Sequence, residues 1–137
     1  MKKLLLIVFA LFLVFSLEIN SSPTPKNYVK VIYFHGKKRC STCEKIEKYS
    51  KETVKKNFSK QLKSGKVKWA IIDFDKKENQ HYMDDFALFN QSLIVIKYQG
   101  GKQTEWKNCT KIWQLTGDEK KFKKYVKDEI NEYLKEL

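Results

Sequence analysis

From Tyr28 to His35 the chain reads Tyr-Val-Lys-Val-Ile-Tyr-Phe-His, a β-branched and aromatic run that predicts a strand buried over most of its length. Gly36 ends the run, and the basic stretch Lys37-Lys38-Arg39 follows. From Ser41 to about Ser64 the period changes. Ile46, Tyr49, Thr53, Val54, Phe58 and Leu62 recur at helical spacing with charged residues between them, which predicts one amphipathic helix stopped by Gly65. Val67 to Phe74 returns to a strand pattern, and Glu78 to Phe89 predicts a shorter helix carrying Tyr82, Phe86 and Phe89 on one face. Leu93 to Tyr98 predicts a third strand. A turn at Gln99-Gly100-Gly101-Lys102 folds it back as a fourth over Gln103 to Lys107. Asn108 to Leu115 reads as a helical turn or two, broken by Gly117. Asp118 is placed to cap a last helix whose inner face is Phe122, Tyr125, Val126, Ile130, Tyr133, Leu134 and Leu137.

The predicted order is strand, helix, strand, helix, strand, strand, helix. Two βα crossovers, a hairpin and a closing helix describe an α/β fold, a mixed central sheet of about four strands with helices on both faces. This is the thioredoxin-like arrangement. The length of 137 residues fits one such domain, expected over residues 28–137.

Residues 1–22 are expected to be a signal peptide or N-terminal anchor. Met1-Lys2-Lys3 is cationic, and Leu4 to Leu17, interrupted only by Ser16, falls short of the roughly 20 residues a spanning helix needs. Val14-Phe15-Ser16 is the nearest approach to a cleavage pattern, and no cysteine ends the run to receive a lipid. Residues 23–27, with Pro23 and Pro25, read as a linker. The expected location is therefore periplasmic or otherwise extracytoplasmic, with retention through an uncleaved segment as the alternative.

The net charge of +12 is dispersed between apolar helix positions rather than gathered into a stripe. It reads as a lysine-rich solvated surface and excludes nucleic acid as the expected partner, since neither a concentrated basic face nor a recognisable module is present. Weak peripheral attraction to an anionic membrane is compatible with it.

Cys40 and Cys43 carry the candidate chemistry. A staple across so short a loop removes little entropy from the unfolded chain, so a reactive pair or a metal site is the better reading. Their place between the first strand and first helix puts Cys40 where unpaired N–H groups favour a thiolate, with Lys37, Lys38 and Arg39 upstream. Cys40 is then the expected nucleophile and Cys43, one turn on, the resolving thiol. The redox-active disulfide itself serves in place of any separate cofactor. A tetrahedral zinc site would need two further ligands, and Cys109 and the two histidines are the candidates. His35 is a proton shuttle, a thiolate stabiliser or simply a hydrogen-bonded strand end, and Cys109 a semi-buried free thiol, a second resolving cysteine or an intermolecular link. His81, Asp73 and Asp75 are expected at the surface. Trp69, Trp106 and Trp113 are expected to pack. Three Asn-x-Ser/Thr triplets, at Asn57, Asn90 and Asn108, are too common by chance to signify glycosylation.

With these motifs placed, the chain resembles the thioredoxin-like nitrophenyl-compound nitroreductase subunit ArsF family from about Tyr28 to Leu134. The matching stretches are Val31-Ile-Tyr-Phe-His-Gly, Arg39-Cys-Ser-Thr-Cys with Ile46-Glu47, Ile112-Trp-Gln-Leu-Thr-Gly-Asp and Phe122-Lys-Lys-Tyr-Val. The resemblance implies an exported thioredoxin-fold protein, of a kind that sometimes works beside a membrane-embedded thiol electron carrier, and a link to nitroaromatic arsenicals. Nothing in the sequence resembles a flavin or nitroreductase site. Two positions depart from ordinary thioredoxins. Gln91, followed by Ser92, stands where a cis-proline usually faces the cysteines, so a trans loop is expected there. Tyr33 stands where a buried acid usually lies beneath the resolving cysteine. The expected function is thiol–disulfide exchange with a dedicated protein partner. The alternatives are copper binding or transfer through the Cys40 and Cys43 thiolates, and a redox-silent subunit of a membrane complex.

Overall fold

The computed structural model describes residues 23–137. The signal or anchor expected at 1–22 lies outside the described residues. The elements run β1 (Tyr28–His35), α1 (Ser41–Asn57), α2 (Ser59–Ser64), β2 (Val67–Asp73), α3 (His81–Asp85), β3 (Ser92–Gln99), β4 (Lys102–Asn108), α4 (Ile112–Leu115) and α5 (Glu119–Lys135). One sheet has the order β2-β1-β3-β4, with β1 parallel to β2 and antiparallel to β3, and β4 antiparallel to β3. This is the thioredoxin-like α/β topology that the element order predicted.

The period-two alternation of β1 and β3 divides the core in two. Val29, Val31, Tyr33, Leu93 and Val95 face the larger cluster, built on Ile46 and Val54 of α1, Phe58, Ile112 and the α5 stripe Phe122, Val126, Ile130 and Tyr133. Ile32, Phe34, Ile94 and Ile96 face the smaller one, covered by Phe74, Phe86 and Leu88. Both central strands are therefore buried on both sides, which is why their sequences are nearly continuous in apolar residues. Each buried Ile or Phe contributes about 1.5–3 kcal/mol through its removal from water. Asp118 caps α5 as expected, its Oδ1 accepting from the Lys121 N–H at 3.0 Å.

Two helices differ from expectation. The stretch Ser41–Ser64 is broken at Phe58, whose φ of −124° leaves the helical region while its side chain sinks into the larger core. The break keeps its hydrogen bonds, because Phe58 N–H donates to Val54 O and Leu62 N–H to Phe58 O. Gly65 then ends α2 at φ +75°, as the sequence suggested. The predicted helix from Glu78 to Phe89 shrinks to a 3₁₀ turn at Lys77–Asn79 and the short α3. Leu88 folds back to bond Met83 O, which takes Phe89 off the helical face and into solvent.

Phe58 is 2% exposed and Phe89 94%. Phe58→Ala is expected to lower unfolding free energy by about 3–5 kcal/mol, whereas Phe89→Ala is expected to stay within about 0.5 kcal/mol of the parent chain. Urea unfolding of the two variants side by side checks both.

Candidate functional site

β1 ends in the middle of the sheet, so its next residues emerge between the loops that follow β2 and precede β3. Gly36 is buried there. A Cβ on it would lie 2.9 Å from Asp75 Oδ2 and 3.1 Å from the Phe74 ring, so only glycine fits without displacing one of them. The Phe74 N–H donates to His35 O at 2.9 Å, and Asp75 Oδ2 accepts from the Lys37 N–H at 2.7 Å. Asp75 is itself oriented by its N–H donating to Asp73 Oδ1, and Asn79 Nδ2 donates to Asp73 O. From the other side, Gln91 Nε2 donates to Lys38 O at 3.0 Å, and Trp113 Nε1 donates to Gln91 O at 3.2 Å. Consecutive residues of the loop are thus held by different neighbours.

That loop delivers Cys40 as the N-cap of α1. Cys40 is exposed and Cys43 is 3% exposed. Their Cα atoms are 5.0 Å apart and the two sulfurs are joined as a disulfide. Cys40 Sγ also accepts from the Cys43 N–H at 3.1 Å, one of the helix-start donors that lack an intrahelical partner. Beneath the pair, buried Tyr33 donates its hydroxyl to Cys43 O at 2.9 Å. Burial pushes the Tyr33 hydroxyl up to about 12, opposed by Arg39 and reinforced by Glu47, so it remains a donor and not a base.

The structure brings together most of the residues singled out in the sequence. Arg39 lies at the site, but its guanidinium is ion-paired with Glu47. His35 is half-buried, with Nδ1 3.0 Å from Gly36 O, the geometry of a hydrogen-bonded strand end. Ser92 is buried and donates to Asn90 O at 2.9 Å. No peptide bond among the described residues is cis, so the chain enters β3 at Gln91–Ser92 in trans. Cys109 is a free thiol, wholly buried rather than semi-buried. Burial pushes it up to about 12, with Glu129 adding to the rise and a Tyr125 hydrogen bond opposing it. Among the described residues no three His, Cys, Asp or Glu side chains gather into a metal-binding group, and no helix is long and apolar enough to cross a membrane.

Asp75, Glu47 and the indole N–H of Trp113 were not picked out as parts of the site by sequence reasoning. The signal for Asp75 lay in the strand pairing. A β2 parallel to β1 brings His35 opposite Asp73 and so sets the following acid beside Gly36 and Lys37. Glu47 and Trp113 fall within stretches quoted for the family resemblance, but nothing in the sequence tied either side chain to the cysteine loop.

Fold and site together define a thioredoxin-like chain with a closed Cys-x-x-Cys disulfide at its first strand–helix junction. No family model matches the chain, and no curated protein matches it. Solved structures similar to it include the thioredoxin of Fasciola hepatica, at 16% identity and TM-score 0.44, covering 79% of this chain and 83% of that one. The thioredoxin of Trypanosoma brucei brucei is similar at 19% identity and TM-score 0.44, covering 79% and 80%. Thioredoxin-2, a component of malaria parasite protein secretion machinery, is similar at 19% identity and TM-score 0.43, covering 68% and 84%. At these identities and scores the likeness carries no functional weight, and the fold stands on the strand order and register. The narrower ArsF-family resemblance finds no support in these comparisons.

Gly36→Ala is expected to cost about 1–3 kcal/mol, because the Phe74 ring or the Asp75 brace must shift to admit a methyl group; thermal unfolding measures it. The raised Cys109 and Tyr33 values give a second expectation. Their ordinary values, 9.0 and 10.0, apply to the unfolded chain, and both rise to about 12 on folding. Above pH 9 the unfolded chain therefore binds fewer protons than the native one, and stability falls as pH climbs from 9 towards 12. Urea unfolding across that range should show the fall, with a shallower slope in Cys109→Ala.

Proposed function

We propose that this protein is an extracytoplasmic thiol–disulfide oxidoreductase that serves a dedicated protein partner. The observation that carries the reading is the asymmetry of the disulfide: one cysteine exposed at a helix N-terminus, the other buried. An incoming partner thiolate can reach only Cys40 Sγ. As the new S–S bond forms, the Cys40–Cys43 bond breaks, and Cys43 leaves as a thiolate that takes up a proton. A second partner thiolate then attacks the partner sulfur of the mixed disulfide and releases Cys40. The partner dithiol is oxidised by two electrons and the Cys40–Cys43 pair is reduced by two. The same steps reversed reduce a partner disulfide, and the two reduction potentials set the direction.

The released Cys40 thiolate keeps the Cys43 N–H and the α1 N-terminus as stabilising neighbours. Tyr33 holds the backbone of Cys43 in place but, raised to about 12, is too weak an acid to protonate the Cys43 thiolate, so that proton comes from water or the partner. The cationic start and apolar run of residues 1–17 support export, and a membrane-embedded electron carrier is the partner class such a location favours.

Thiol alkylation before and after reduction, read by mass, tests the exchange reading. The wild-type chain should shift reversibly by two alkyl groups at Cys40 and Cys43. Cys43→Ser should accumulate a mixed disulfide with its partner, while Cys40→Ser should exchange with nothing. A pair that never opens under thiol reductant, or a Cys40→Ser chain that exchanges normally, sinks the proposal. Fractionation of cells expressing the full chain tests the location, which fails if the protein stays in the cytosol.

A further inference from the structure

The segment from Phe86 to Gln91 joins α3 to β3. Phe86 and Leu88 turn into the smaller core, and the Leu88 N–H donates to Met83 O at 2.8 Å. Between them Ala87 adopts φ +47°, a left-handed conformation that costs a residue with a Cβ of order 1–2 kcal/mol. The consequence is that Phe89 stands 94% exposed. A single exposed apolar residue is ordinary on a protein surface. Phe89 differs in two respects: inward-facing neighbours and a strained residue hold it out, and its segment is tied to the loop bearing the disulfide. Gln91, two residues after Phe89, donates to the carbonyl of Lys38, two residues before Cys40.

The charges around the sulfur are unevenly committed. Arg39 is paired with Glu47, and Asp75 is engaged by the Lys37 amide. Glu44 and Lys45 are exposed on the first turn of α1 and are opposite in sign. The side chains of Lys37 and Lys38 are exposed and make no ion pair among the described residues. They sit on the stretch that Gln91 ties to Phe89, on a chain of net charge +12.

We propose that Phe89, Lys37 and Lys38 form the docking surface for the partner, a polypeptide whose reactive cysteine is flanked by a large apolar side chain and by acidic residues. This inference rests on the thiol-exchange reading and adds the partner's chemistry to it. Phe89 supplies a large contact area with little rotamer entropy to lose. The two lysines steer an acidic segment to it and disfavour a basic one.

The test uses the full chain carrying Cys43→Ser, reduced, so that the reaction stops at the first bond. The probes are cysteine peptides whose sulfur carries a thionitrobenzoate group. The Cys40 thiolate attacks the peptide sulfur, the S–S bond between them forms, and thionitrobenzoate departs as a coloured anion. One peptide has Leu and Asp beside its cysteine, a second has Leu and Lys, and N-acetylcysteinamide bearing the same group is the small reference. The acidic peptide should react faster than the basic one at low salt, with the difference fading as salt rises. Adding Phe89→Ala should lower the acidic-peptide rate, taken relative to the small reference, by about tenfold, and Phe89→Leu should restore most of it. Adding Lys37→Gln and Lys38→Gln should remove the salt dependence. A relative rate within about twofold of the parent in Phe89→Ala, or equal rates for the acidic and basic peptides, overturns the docking surface while leaving exchange intact. Failure of N-acetylcysteinamide itself to react at Cys40 overturns the exchange reading, and the docking surface with it.

Discussion

Two hydrogen bonds to consecutive residues, Asp75 to the Lys37 amide and Gln91 to the Lys38 carbonyl, fix the approach of the chain to Cys40. A loop leaving a central strand has free backbone groups on both sides, and here the loops after β2 and before β3 satisfy one each. The helix that follows starts where those bonds place it. Position, exposure and electrostatics of Cys40 all descend from that arrangement: the N-cap geometry, the Cys43 N–H on its sulfur, and the burial of Cys43 above Tyr33. The brace on the β2 side reaches back through Asp73 to Asn79, and the brace on the β3 side reaches Trp113. The disulfide is therefore held in a frame drawn from four separate parts of the chain.

The group beneath the pair stays protonated. Tyr33 is buried, and burial favours its neutral form. A buried carboxylate below Cys43 would accept its proton as the mixed disulfide resolves. Tyr33 instead donates to the Cys43 carbonyl. This arrangement braces the start of α1 at the expense of an internal proton acceptor, which leaves proton exchange to the solvent side of the site.

The parts legible in the sequence are those that a local pattern can carry. The four strands, the capped helix after Asp118 and the cysteine pair at a strand–helix junction follow from periods of two and 3.6 and from residues with special backbone preferences. The break at Phe58 did not, because its spacing fits a continuous helix and only the pull of the core displaces it. The contraction of the expected Glu78–Phe89 helix has the same origin: Tyr82 and Phe86 face the core at helical spacing, but Leu88, off that spacing, is the residue the core takes next. Arg39 read as a free positive charge beside the thiol, yet a residue eight positions on, Glu47, occupies it. Side-chain pairing at that separation depends on how the loop enters the helix, which composition does not encode. Asp75 was recoverable only by combining its sequence position with the parallel register of β2 against β1.

The smaller core and the reactive loop share one structural element. On the larger face, α1 and α5 cover the sheet with two long helices, whereas on the smaller face Phe86 and Leu88 do so from a segment with little helix of its own. That segment continues within three residues to Gln91 and its bond to Lys38 O. Material that would otherwise build a thicker second layer instead forms a loop that seals the sheet with two side chains, exposes a third and braces the cysteine loop with a fourth. The packing that keeps Phe34, Ile94 and Ile96 dry is consequently the packing that sets the distance between Gln91 and the Cys40 loop. Any contact made at Phe89 would act on a segment whose fold is coupled to both.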